Sequence, residues 1–231
     1  MRANDDSSHA KLLRKVALDL DRHMWPEEIG ARFYRQSRGL CNFVSRKLRN
    51  TRVLVGDTGK LVVEGAKCAK PVVSFNSEKV TFVRVPFDAD RFLEADEASQ
   101  RQELFMAFLL EGLRVVQPKG GDATNVIVER VGEFRRRGYK NEWIHKSHHY
   151  PHFHLIAKLA CSITEEAFQL TLHLERPGEE PVLIDVLRTE PEEICFEPLF
   201  KDLELNGDEL TITARIPKPL ATFKLRDLLI G

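Results

Sequence analysis

The chain lacks any long apolar run. Its longest, Leu104 to Leu110, covers seven residues, and a helix needs about 20 to cross a bilayer. No membrane partner is expected. The start, MRANDDSSHAKLLRKVALDLDRH, mixes charge with apolar residues and has no signal-peptide core. The expectation is a soluble, cytoplasmic protein. Cysteine is scarce and scattered: Cys41, Cys68, Cys161 and Cys195 form no CxxC pair. Without a secretion signal, free and mostly buried thiols are expected rather than disulfides.

Catalytic signatures are missing as well. No GxGxxG or P-loop pattern opens a helix, which argues against a doubly wound nucleotide-binding fold. Ser45, Ser74 and Ser147 lack the context of a nucleophile elbow. Cys161 follows an apolar strand and reads as core. Net charge is also absent, with 35 basic and 35 acidic residues. That balance argues against a dedicated nucleic-acid binder, although Arg135-Arg136-Arg137 could touch phosphate.

Charge is present but unevenly spread. Residues 1–70 carry 15 Lys/Arg against 8 Asp/Glu, and residues 161–231 carry 7 against 15. Asymmetry of this kind favours a charged partner for one end, or internal pairing of the two ends.

Periodicity divides the chain by element type. Leu12, Val16, Leu20 and Met24 share one helical face, predicting a helix over 10–25 that Trp25-Pro26 ends. A second helix is predicted over 27–48, with Ile29, Phe33, Leu40, Val44 and Leu48 inward. TRVLVGDTGKLVVEG reads as two strands around Asp57-Thr58-Gly59, and PVVSFNSEKVTFVRVPF as two more. Residues 99–116 predict an almost wholly covered helix, with Ser99 and Gln102 as a capping box and Phe105, Phe108 and Leu109 in the core. Another helix follows over 122–137. Beyond it, the alternation of Phe168, Leu170, Leu172 and Leu174 with polar residues marks a half-buried strand, and further strands follow. The expected fold is α+β: N-terminal helices, antiparallel sheet on both sides of a central helix pair, and a C-terminal antiparallel meander. Residues 1–50 read as a helical segment and 51–231 as an α+β domain, with a possible division near 118–122.

Two clusters are candidates for function. HKSHHYPHFH, residues 145–154, holds five of eight histidines. Tyr150-Pro151 splits it into two strand-like pieces. If Phe153, Leu155, Ala157 and Leu159 face the core, His152 and His154 share the other face and could converge on zinc, with His149 or His145 as a third ligand. No carboxylate lies inside the cluster. A polar strand face is the plainer reading, and the aromatics Trp143 and Tyr150 with Phe153 suit a partner-binding surface. The second cluster is acidic: 12 Asp/Glu against three Lys/Arg between Glu175 and Glu209. Glu179, Glu180, Glu192 and Glu193 fall where strands turn. They serve solubility, or they form a docking face for a basic protein.

FDADRFLEADEASQRQELFMAFLLEGL and CSITEEAFQLTLHLERPGEEPVLIDVLRTEPEEICFEPLFKDLEL, together about a third of the chain, resemble segments of bacterial polymorphic-toxin immunity proteins of the contact-dependent inhibition type. The resemblance implies a cytoplasmic, non-enzymatic inhibitor that binds and occludes a cognate toxin, often a nuclease, with no cofactor. Nuclease immunity proteins are often strongly acidic overall, and this chain is neutral. The alternative is a metal-dependent hydrolase or nuclease using the 145–154 histidines.

Overall fold

The first element is a strand, β1 (Lys15–Leu20), where helical spacing predicted a helix. Val16, Ala17, Leu18 and Leu20 are all buried. Continuous burial is the signature of a strand in a parallel sheet with both faces covered, and a run this short fits either period. Pairing decides it. Helix α1 (Glu27–Arg49) carries the chain back, and β2 (Lys60–Ala66) lies parallel to β1, with Lys15 opposite Lys60 and Leu20 opposite Gly65. Pro26 does not close a preceding helix but opens α1, its carbonyl accepting from the Ile29 and Gly30 amides. The computed structural model describes residues 12–49, 51, 58–67, 70–76, 78–116 and 122–228. The strand expected at 52–56 lies outside these residues, as does Cys68.

The first sheet has the order β1-β2-β4-β3. Strand β3 (Val72–Phe75) forms the predicted hairpin with β4 (Val80–Pro86). Because β3 takes the outer position, β4 folds back beside β2 and runs parallel to it. The sheet is therefore mixed rather than antiparallel, although the sequence around it reads as a meander. Then come α2 (Ala89–Leu93), α3 (Ala98–Val116) and α4 (Asp122–Arg136). Ser99 bonds Glu97 and Gln102 donates to the Gln36 carbonyl, so the expected capping box does not form. Phe105, Phe108 and Leu109 are buried as expected. Phe33 of α1 is the hub of this core, edge-on to Phe87, Phe92, Phe105 and Phe108 at 5.0–5.8 Å. Ser45 of α1 accepts from the Val16 amide, tying helix to strand.

The chain divides into two compact units, Met1–Tyr139 and Lys140–Gly231. Neither the expected 1–50 segment nor a break near 118–122 is a boundary, because β1 and α1 complete the sheet and core that β2, β4 and α3 share. The first unit ends on Gly138 and Tyr139, both at positive φ, and the Tyr139 hydroxyl donates to Glu103 at 2.8 Å.

The second unit opens with an antiparallel meander of β5 (Asn141–Tyr150), β6 (Leu155–Ile163), β7 (Phe168–Glu175) and β8 (Val182–Thr189). After α5 (Glu193–Phe196) a three-stranded antiparallel sheet follows: β9 (Asp202–Asn206), β10 (Glu209–Thr213) and β11 (Ala221–Lys224). A last turn is α6 (Leu225–Leu228). Leu155, Leu159, Phe168 and Leu172 of the meander share one core with Leu203, Leu210 and Ile212. The fold class is α+β with a C-terminal antiparallel meander, as expected. No described helix is long and apolar enough to cross a membrane.

Candidate interaction surface

The histidine-rich strand β5 carries a bulge between Ile144 and Lys146. A bulge adds one residue and resets which side chains share a face. The reset separates His145 from His149. His145 Nε2 donates to the Lys201 carbonyl at 3.0 Å, and its ring stands edge-on to Phe200 at 4.8 Å. His148 bonds Asp202 Oδ1 at 2.7 Å, and Lys146 Nζ lies 3.3 Å from Oδ2. His149 is opposite Ile156, on the other face of the sheet, and is exposed.

Burial pushes the His145 pKa below the ordinary imidazole value, only partly offset by its bond to Lys201. Burial also raises Asp202, but hydrogen bonds from His148, the Leu203 amide and Lys146 outweigh it and hold the carboxyl low. Asp202 is the carboxylate that the histidine cluster lacked in sequence. It lies 54 positions beyond His148, a separation at which no spacing rule applies.

His152 and His154 do not share a strand face. Pro151–Phe153 is a single 3-10 turn between β5 and β6, and His154 closes it at φ 50°. Proline starts such a turn readily, and the left-handed residue ends it. Both imidazoles are exposed. Leu155, Ala157 and Leu159 do form the core face of β6. Among the described residues, no three His, Cys, Asp or Glu side chains gather into a group able to hold a metal ion.

The aromatics expected on a partner surface are half-buried. Trp143 packs on the core with its ring 6.2 Å from Phe168. Tyr150 stacks near His148, and its hydroxyl donates to the Leu203 carbonyl. The acidic turns divide too. Glu179 and Glu180 are exposed in the β7–β8 turn, where Gly178 takes φ 83°, and Glu179 pairs with Arg176 at 3.2 Å. Glu192 is half-buried just before α5. Glu193, expected to project, is 4% exposed. The one-turn helix rotates it inward and places Ile194, 75% exposed, on the outside. Asp185, Glu190, Glu204 and Glu209 complete the exposed acidic set between Glu175 and Glu209. The second unit carries 16 Asp/Glu against 10 Lys/Arg.

One cluster in the first unit escaped sequence reasoning. Asp19, Glu64 and Arg84 lie in one row across β1, β2 and β4. Arg84 bonds Glu64 at 2.5 Å and reaches to 3.6 Å from buried Asp21. Burial raises the Asp19 pKa, and the neighbouring Glu64 adds to the rise. The row sits at the carboxyl ends of three parallel strands, a position visible only once the parallel pairing is known. It bridges strands by charge, with the Glu64 and Asp21 carboxylates on one guanidinium.

No protein-family model, curated protein or solved structure matches this chain.

Proposed function

We propose that this chain is a non-enzymatic binding protein whose acidic C-terminal unit docks on a basic protein, and that it acts as an inhibitor by occluding a toxin, as its resemblance to immunity proteins implies. The carrying observation is the placement of exposed carboxylates at strand ends. Glu179, Glu180, Glu190 and Glu209 stand there, on one unit with an acidic excess, and Glu204 is exposed in the middle of β9. Turn positions project charge without disturbing the ladders beneath. Complementary charge accelerates encounter and rejects partners of the wrong sign.

The test is co-expression with the product of the adjacent upstream reading frame. That product is expected to be toxic alone and harmless with the chain present. Glu179→Lys with Glu180→Lys should slow association of the purified pair at low salt and matter less at high salt, where screening removes the steering. A harmless upstream product, or toxicity that the chain leaves unchanged, overturns the proposal.

A further inference from the structure

The α5 corner presents an apolar residue outward and holds it rigidly. Phe196, two residues after Ile194, stacks on Phe168 at 3.9 Å with the rings 9° from parallel, and Phe200 lies 5.6 Å beyond. Backbone bonds fix the same segment from both ends. Cys195 and Glu197 donate to Glu192 and Glu193, Arg215 donates to Pro198, and Lys201 donates to Thr213. The corner is therefore locked in shape before any partner arrives, and an anchor already ordered loses little entropy on binding.

Its surroundings are charged with one sign. No Lys or Arg occurs from 189 to 200, while Glu190 is exposed and Glu192 and Glu197 are half-buried; Glu193 of the same stretch is turned inward. The preceding base, Arg188, is directed at Glu166, 3.8 Å away, and Arg215 meets the segment at its far end, at Pro198. The field is felt locally: burial pushes the Cys195 thiol up, and Glu192 and Glu190 push it further. An exposed isoleucine in such a field discriminates. A purely apolar partner would have to desolvate the carboxylates, and a purely basic one would leave the isoleucine in water.

We infer that the α5 corner is the anchor of the acidic docking face, with Ile194 seated in an apolar recess of a partner whose rim is basic. This rests on the proposed function and narrows it to one side chain and one partner chemistry, a basic amphipathic polypeptide surface.

Two probes separate the claims: poly-L-lysine, which carries charge alone, and a helical Leu/Lys peptide of equal charge with one apolar face. Binding to the full chain is measured by fluorescence anisotropy at low salt, with melting temperature as the folding control. The wild type is expected to prefer the amphipathic peptide. Ile194→Ser should weaken that peptide about tenfold, the scale of one buried aliphatic side chain, and leave poly-L-lysine unchanged. Glu190→Gln with Glu192→Gln should weaken both probes. Equal affinity for the two probes, or Ile194→Ser binding like wild type, overturns the inference and leaves the acidic docking reading standing. Absence of binding to either probe overturns both.

Discussion

At the scale of single residues, the two histidines nearest the β5 bulge are held differently. His148 meets a carboxylate, whereas His145 meets a backbone carbonyl, an aromatic edge and two cations. Lys146 and Arg215 disfavour its protonation beyond burial, and Asp202 opposes them. The sign of the consequence follows. An unfolded imidazole takes up its proton near pH 6.5, and folded His145 does so lower. Between the two, the unfolded chain holds more protons. Stability is therefore full above about pH 6.5 and falls as pH drops through the folded value. His145→Gln keeps a donor for the Lys201 carbonyl and removes the titration. The decline in melting temperature from pH 7.5 to 5.5 is expected to be smaller in the variant. Parallel curves would place the acid sensitivity elsewhere. None of this was legible from sequence. Strand alternation placed His145 and His149 together, and a bulge has no reliable marker in a single sequence.

Among elements, α3 and β2 approach closely at Gly112. A Cβ built on Gly112 would overlap both methyls of Val63. Alanine is the better helix former by about 1 kcal/mol, but overpacking a formed core costs about 1–3 kcal/mol. Gly112→Ala is expected to destabilise the protein, and Val63→Ala in the same chain should recover part of the loss. Urea denaturation of both variants reads this directly, and a neutral Gly112→Ala would mean that α3 shifts freely on the sheet. Helix α3 was readable because its apolar face spans five turns, so no local accident can hide it. The hairpin of β3 and β4 was readable for the same reason at period two. Strand β1 was not. Six residues leave both periods open, and only its partner β2, across a 23-residue helix, settles the matter. The α5 turn placed Glu193 inward, against expectation, because four residues of helix rotate side chains by 100° steps, where an extended turn would have let both glutamates project.

At the scale of the whole molecule, each core closes within one contiguous stretch. The first runs from Leu13 to Phe134 and the second from Leu155 to Leu225, with no residue shared. A unit with its own core and no borrowed strand is expected to fold alone. Residues 140–231, produced as a fragment, should give dispersed amide resonances and a cooperative thermal transition. A fragment that is soluble but collapsed would show that the first unit supplies something the second core needs. The charge asymmetry read from sequence maps onto this division, since residues 140–231 carry 16 Asp/Glu against 10 Lys/Arg and residues 1–139 carry 19 against 25. The position of the boundary was not readable, because Gly138-Tyr139-Lys140 resembles an ordinary helix stop.

Contiguity also has a consequence in time. Translation delivers about 5–20 residues per second, so the second unit takes roughly 5–20 s to follow the first. Mixed α/β domains close in well under that interval. The parallel β1–β2 pairing, which needs a helix to form between its strands, is thus made in a chain that does not yet contain its acidic unit. Arrested nascent chains exposing residues 1–139 are expected to resist a protease pulse already at that length.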